Sequence, residues 1–131
     1  MITKINHVGI VVDNYEASKK LYGEEGLGLK YLREEENHAH GCKIAFFQCG
    51  EVMIEIITPI GPGLSQKFLA EHGPGLHHIC YETSDIDAEF NKAKTVFDTD
   101  YTQPVPGAGG TRVFFLKPES IGNVETEFTN G

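Results

Sequence analysis

The chain has 131 residues, enough for one domain with a real core and too few for two conventional ones, and its 40% hydrophobic and 23% charged content is that of a globular protein. A formal net charge of −8 argues against a general binder of nucleic acid or acidic membranes, because holding phosphate needs a surplus of Lys and Arg. The opening "MITKINHVGIVV" has too short an apolar run for a signal peptide and no stretch reaches membrane-spanning length, so a cytoplasmic protein is expected, with Cys42, Cys49 and Cys80 as reduced thiols.

The first strand-like run, "HVGIVV" (His7 to Val12), leads into a helix expected over residues 14–24, with Ala17 and Leu21 as its apolar stripe and Gly26 at its end. Strands are expected at Lys43–Gln48 and Val52–Thr58. The segment "GPGLSQKFLAEHGPG" is bracketed by Gly-Pro turns and holds one short helix around Ser65–Glu71. A second strand-like run, "GLHHICYE", follows from Gly75 to Glu82. The next helix is expected over residues 85–97, where Ile86, Phe90, Ala93 and Phe97 recur at helical spacing behind Ser84 or Asp85 as N-cap. Two last strands fall at Arg112–Leu116 and Val124–Phe128.

These elements repeat. "HVGIVVDNYEA" (His7 to Ala17) lies over "HICYETSDIDA" (His78 to Ala88) at a constant offset of 71 residues. "KIAFF" matches "RVFFL" in pattern, and "GEVMIEIIT" lies over "GNVETEFT", which sets Glu55 against Glu127. His7 precedes Glu55 by 48 residues and His78 precedes Glu127 by 49. The expected organisation is a single domain of α+β class, residues 1–131, built from two βαβββ modules (about 1–60 and 75–131) around a linker (about 61–74). The two modules pair into an open, barrel-like sheet.

Successive strand residues face opposite sides, so His77 and His78 cannot look into the same cavity. Val8, Ile10 and Val12 pack under the first helix, as Ile79 and Tyr81 do under the second, which turns His7 and His78 to the open face. His77 keeps the helix-side parity and caps the strand end or meets solvent. Should the open faces form one trough, His7, Glu55, His78 and Glu127 meet in it. Two imidazoles and two carboxylates make a hard-to-borderline site for a divalent ion. A lone strand His or Glu is more often a satisfied or solvated residue; the matched positions in a repeat carry the inference.

These residues resemble the vicinal oxygen chelate (glyoxalase/bleomycin resistance/dioxygenase) superfamily, from about Ile5 to Phe128. Within it, "INHVGIVV", "KFLAEHGPGLHHICYE" and "GAGGTRVFF" most resemble methylmalonyl-CoA epimerases. The resemblance implies one divalent metal (cobalt, manganese, magnesium, nickel or zinc) on His7, Glu55, His78 and Glu127. It implies an isomerase that removes and returns the proton alpha to an acyl-CoA thioester, most simply methylmalonyl-CoA, and a homodimer. Glu55 stands where that epimerase often has Gln, as in glyoxalase I. A base glutamate carried by some epimerases falls near Lys43 or Ile44, neither of which is a carboxylate. Epimerisation needs a base on each face of the planar enolate. Glu127 and Glu55, one from each module, are the candidates.

Lys43, Arg112 and Lys117 are candidate contacts for the anionic groups of the substrate, against a default of solvated surface. His38, His40 and His72 read as surface, and "GAGG" lacks the GK[ST] of a phosphate loop. The alternatives are a glyoxalase I-type lyase acting on a glutathione hemithioacetal, an iron dioxygenase, which a fourth ligand at Glu55 crowds out, and a non-catalytic small-molecule binding protein of the same fold.

Overall fold

The computed structural model describes residues 1–131 and contains three helices and eight strands, the α+β class expected. The strands are β1 (Ile2–Val11), β2 (Lys30–Asn37), β3 (Cys42–Cys49), β4 (Val52–Pro59), β5 (Gly75–Thr83), β6 (Val105–Pro106), β7 (Arg112–Phe115) and β8 (Thr126–Thr129). The helices are α1 (Tyr15–Tyr22), α2 (Leu64–His72) and α3 (Ile86–Ala93), so the short linker helix is present. No helix is long and apolar enough to cross a membrane. The chain divides into two compact units, residues 7–77 and residues 1–6 with 78–131.

In the unit of residues 7–77 the strand order is β2-β3-β4-β1. The β2–β3 and β3–β4 pairs are antiparallel and β1 runs parallel to β4. Asn14 starts α1, its side-chain oxygen accepting the Ala17 N–H at 3.2 Å. One sheet face carries the core of Val12, Tyr15, Ala45, Phe47 and Ile56. The expected stripe of α1 is wrong: Ala17 is exposed and Leu21 is 61% exposed. Tyr15 and Tyr22, two turns apart on one side of the helix, face the sheet instead, because their rings bury more apolar area than an alanine and a leucine. Gly26 lies beyond the helix end, which is at Gly23, and serves another purpose. A Cβ there would stand 1.8 Å from the Leu21 carbonyl oxygen, so only glycine lets the chain fold back over α1.

The β2–β3 ladder contains one irregularity. Tyr31 sits opposite Phe47, yet Arg33 sits opposite Phe46, leaving Leu32 as an inserted residue. A bulge of this kind moves side chains two residues apart onto opposite faces.

In the other unit the order is β1-β5-β8-β7-β6, with β5 parallel to β8 and the remaining ladders among β6, β7 and β8 antiparallel. Its share of β1 is the opening stretch, residues 2–6. There the Thr3 hydroxyl donates to the Glu82 carbonyl at 3.3 Å and Asn6 Nδ2 donates to Glu82 Oε1 at 2.8 Å. Of the two candidate caps, Asp85 is the one used, accepting the Ala88 N–H at 3.1 Å. Ile86, Phe90 and Ala93 pack on Phe114, Leu116 and Phe128, as their spacing required. Phe97 still reaches this core although α3 stops at Ala93, because its N–H bonds the Ala93 carbonyl at 2.7 Å and adds a turn. Each half of the chain thus repeats βαβββ, the second strand of the second repeat being the two-residue β6.

Candidate active site

Strand alternation sorts the side chains of residues 7–77 into two sets. Ala45, Phe47, Ile54 and Ile56 face α1. Their neighbours Phe46 and Glu55 take the other face, directly opposite one another in the β3–β4 ladder. His7 joins them: its Nδ1 lies 3.2 Å from Glu55 Oε2, with both side chains more than nine-tenths buried.

The same arrangement recurs in the second unit. His78 Nε2 lies 3.1 Å from Glu127 Oε1, again with both groups nearly closed to solvent. Glu127 sits beside Cys80 on β5 and opposite Phe115 on β7, and the Phe115 ring meets the His78 ring edge-on at 5.7 Å. Phe46 and Phe115 are repeat-equivalents, so each module places one histidine, one glutamate and one phenylalanine on the face away from its helix. His77 does point the other way, as parity demands, and is only partly buried: its ring packs edge-on against Phe68 of α2 at 4.9 Å while the rest of it meets solvent.

Each pair by itself suits a metal. An imidazole nitrogen and a carboxylate oxygen on adjacent octahedral positions of an ion with ~2.1 Å bonds stand roughly 3.0 Å apart, close to the spacing in each pair. Neutral imidazole with anionic carboxylate is also the donor set of a hard-to-borderline divalent ion. Without an ion, each imidazole and its carboxylate compensate one another's burial, since a buried carboxylate needs a donor.

The three cations expected at the site are placed otherwise. Lys43 and Arg112, themselves repeat-equivalents, share the parity of Ala45 and Phe114 and so lie on the helix-bearing faces. Each holds the first turn of its helix. Lys43 Nζ is 4.9 Å from the Tyr15 ring centre, and the Arg112 guanidinium forms two 3.0 Å hydrogen bonds to Asp87. Arg112 holds the Asp87 carboxyl below its ordinary range. Lys117 follows β7 and pairs with Asp100 at 3.3 Å. None of the three is brought beside a histidine–glutamate pair in its own unit.

Two polar residues near those pairs escaped the sequence reading. Tyr101 is fixed by Thr99, whose hydroxyl donates to the Phe115 carbonyl at 2.6 Å and accepts the Tyr101 N–H at 3.1 Å. Its ring lies 6.2 Å from that of Phe115, and burial, then the charge of Glu127, pushes its phenol up. Arg33, turned by the bulge at Leu32, places its guanidinium carbon 3.9 Å from the Phe46 ring centre. No periodicity reveals either one: Tyr101 sits in a loop, and simple alternation puts Arg33 on the face of Tyr31.

Comparison with known proteins follows the same line. The sequence model of the Glyoxalase/Bleomycin resistance protein/Dioxygenase superfamily matches residues 6–115. An ethylmalonyl-CoA/methylmalonyl-CoA epimerase of Cereibacter sphaeroides is 33% identical over 125 residues, 92% of each chain. The crystal structure of methylmalonyl-CoA epimerase from Mycobacterium tuberculosis aligns with a TM-score of 0.91 at 26% identity, covering 98% of this chain and 87% of that one. A variant of the Streptomyces coelicolor methylmalonyl-CoA epimerase in complex with 2-nitronate-propionyl-CoA aligns with a TM-score of 0.89 at 26% identity, covering 98% and 94%.

Proposed function

Because the chain belongs to the glyoxalase/bleomycin resistance protein/dioxygenase superfamily, we propose that it is an epimerase that removes and returns the proton alpha to the thioester of an acyl-CoA, methylmalonyl-CoA being its substrate. The observation that carries the reading is the buried histidine–glutamate pair repeated at matched positions of the two modules. The epimerases named above, which match almost the whole chain, supply the substrate class.

One divalent ion is the proposed cofactor, with His7, Glu55, His78 and Glu127 as its ligands. When bound, such an ion supplies Lewis-acid stabilisation of negative charge growing on a carbonyl oxygen. The chain's own groups supply the rest. Phe46 and Phe115, ladder partners of the two glutamates, are apolar neighbours that keep water from the carboxylates and strengthen charge interactions nearby. Glu55 and Glu127 are the proposed proton carriers: one takes the alpha proton, and the other returns a proton to the opposite face of the planar enolate. The proposal also takes in a single domain in the cytoplasm, as length and composition lead one to expect, and a homodimer, as the resemblance implies.

Proton NMR in heavy water with methylmalonyl-CoA and manganese tests the reading. Loss of the alpha-proton signal is the expected result. No exchange, together with turnover of the methylglyoxal–glutathione adduct, assigns the chain to the lyase class instead.

A further inference from the structure

The bulge at Leu32 gives one arginine a position that the rest of β2 does not share. On regular alternation Arg33 would accompany Tyr31 on the face under α1, where Lys19 and Lys43 already stand near Tyr15. The inserted residue sends it to the opposite face. Arg33, Phe46 and Glu55 then form one row across three adjacent strands, so the Arg33 backbone lies two strand spacings, roughly 10 Å, from that of Glu55. Bulges beside binding sites commonly re-aim a side chain in this way.

Its surroundings hold the guanidinium without using it up. The plane lies over Phe46, a ring that is 2% exposed, and Nη1 donates to Glu35 Oε2 at 3.0 Å. Glu35 follows on the same face, opposite Ile44. A guanidinium has five N–H donors in a fixed fork, and Nη2 and Nε have no acceptor in the chain. Half of the side chain stays exposed, so the free donors can be reached from solvent. An acidic protein with a net charge of −8 repels an anionic ester at long range and needs a local cation on the right face to hold it. Lys43, on the far side of the same sheet, is not that cation.

We propose that Arg33, re-aimed by the Leu32 bulge and stacked on Phe46, receives an anionic group of the acyl-CoA substrate beside the His7–Glu55 pair. The inference rests on the acyl-CoA reading above. The anion has two sources on such a molecule, the free carboxylate of the malonyl group or the phosphates of CoA, and both suit the bidentate fork.

Titration calorimetry of the manganese-loaded protein with malonyl-CoA, acetyl-CoA and malonyl-pantetheine tests it, comparing wild type with Arg33→Met, which keeps an apolar stem over Phe46. Malonyl-CoA affinity is expected to fall about tenfold in Arg33→Met, the loss of one charge-assisted contact. A loss shared by both malonyl esters but not acetyl-CoA assigns the carboxylate. A loss shared by both CoA esters but not the pantetheine assigns the phosphates. Arg33→Lys, which keeps the charge without the fork, falls between and serves if the methionine variant does not fold. Wild-type affinity for all three esters in both variants, or no ester binding by wild type, overturns the proposal. The heavy-water experiment on the wild type reads separately: absent exchange sinks the epimerase assignment while the binding comparison still decides the role of Arg33.

Discussion

Glu55 and Glu127 each lie opposite a phenylalanine and beside a histidine, so replacing either by glutamine keeps its shape and removes its charge. Glu55→Gln and Glu127→Gln are each expected to slow deuterium incorporation about 100-fold or more, the usual contribution of a positioned acid or base. Wild-type exchange in both would remove them as proton carriers. Tyr15 offers a stability counterpart. Its hydroxyl donates to Glu34 Oε2 at 2.8 Å, and burial, then this glutamate, pushes the phenol well above its ordinary value. The hydroxyl, followed by the Lys19 ammonium, holds Glu34 below the carboxylate value of 4.5. A depressed carboxylate stabilises the fold above its unfolded value and loses that contribution as pH falls through the folded one. Tyr15→Phe is expected to cost about 1 kcal/mol at neutral pH. The gap from wild type should shrink below pH 4.5, as urea melts at pH 7 and pH 3.5 will register. At this scale the sequence was legible where parity was applied: His78 rather than His77 pairs with Glu127. The same rule turns Lys43 and Arg112 away from the glutamates, and ignoring it made substrate contacts of two cations that brace helices.

Among the elements, α3 was readable in its start and its buried side, because Ile86, Phe90 and Ala93 share one stripe and a carboxylate stands at its cap, while the expected end at 97 overran the observed one at Ala93. Asp85→Ala is expected to cost about 1 kcal/mol, the usual worth of an N-cap, and to lower the thermal midpoint by a few degrees. In α1, residue type misled. Leucine and alanine look like core, yet the phase set by the Asn14 cap points Tyr15 and Tyr22 inward, so Leu21→Lys should change stability by under about 0.5 kcal/mol. A midpoint drop of many degrees in that variant would show that Leu21 is covered. The Leu32 bulge was invisible for a different reason. It exists only in the register between two strands, and β2 alone, a run of charged and apolar residues with no glycine, carries no mark of it.

For the whole molecule the internal repeat was the most legible feature, since duplication writes the same spacing twice and needs no structure to be seen. The arrangement of ligands around an ion is a property of folded partners, and spacing alone can only nominate them. If one ion binds the native chain, manganese at 100 times its dissociation constant adds about 2.7 kcal/mol. The thermal midpoint should then rise in a single transition and return with chelator. His78→Gln should abolish most of that rise, and an unchanged rise would place the ion elsewhere. The path of β1 has a further consequence. One uninterrupted strand begins against Glu82 and Thr83 and finishes alongside β4, so the first six residues complete the sheet of the half farthest from them along the chain. Trimming those residues should therefore quicken amide exchange in β5 and at the start of α3, near residue 85, before it disturbs α1 only a few positions downstream. An edit made at the beginning of this polypeptide is felt beyond its midpoint, in the strand and helix that open the second repeat.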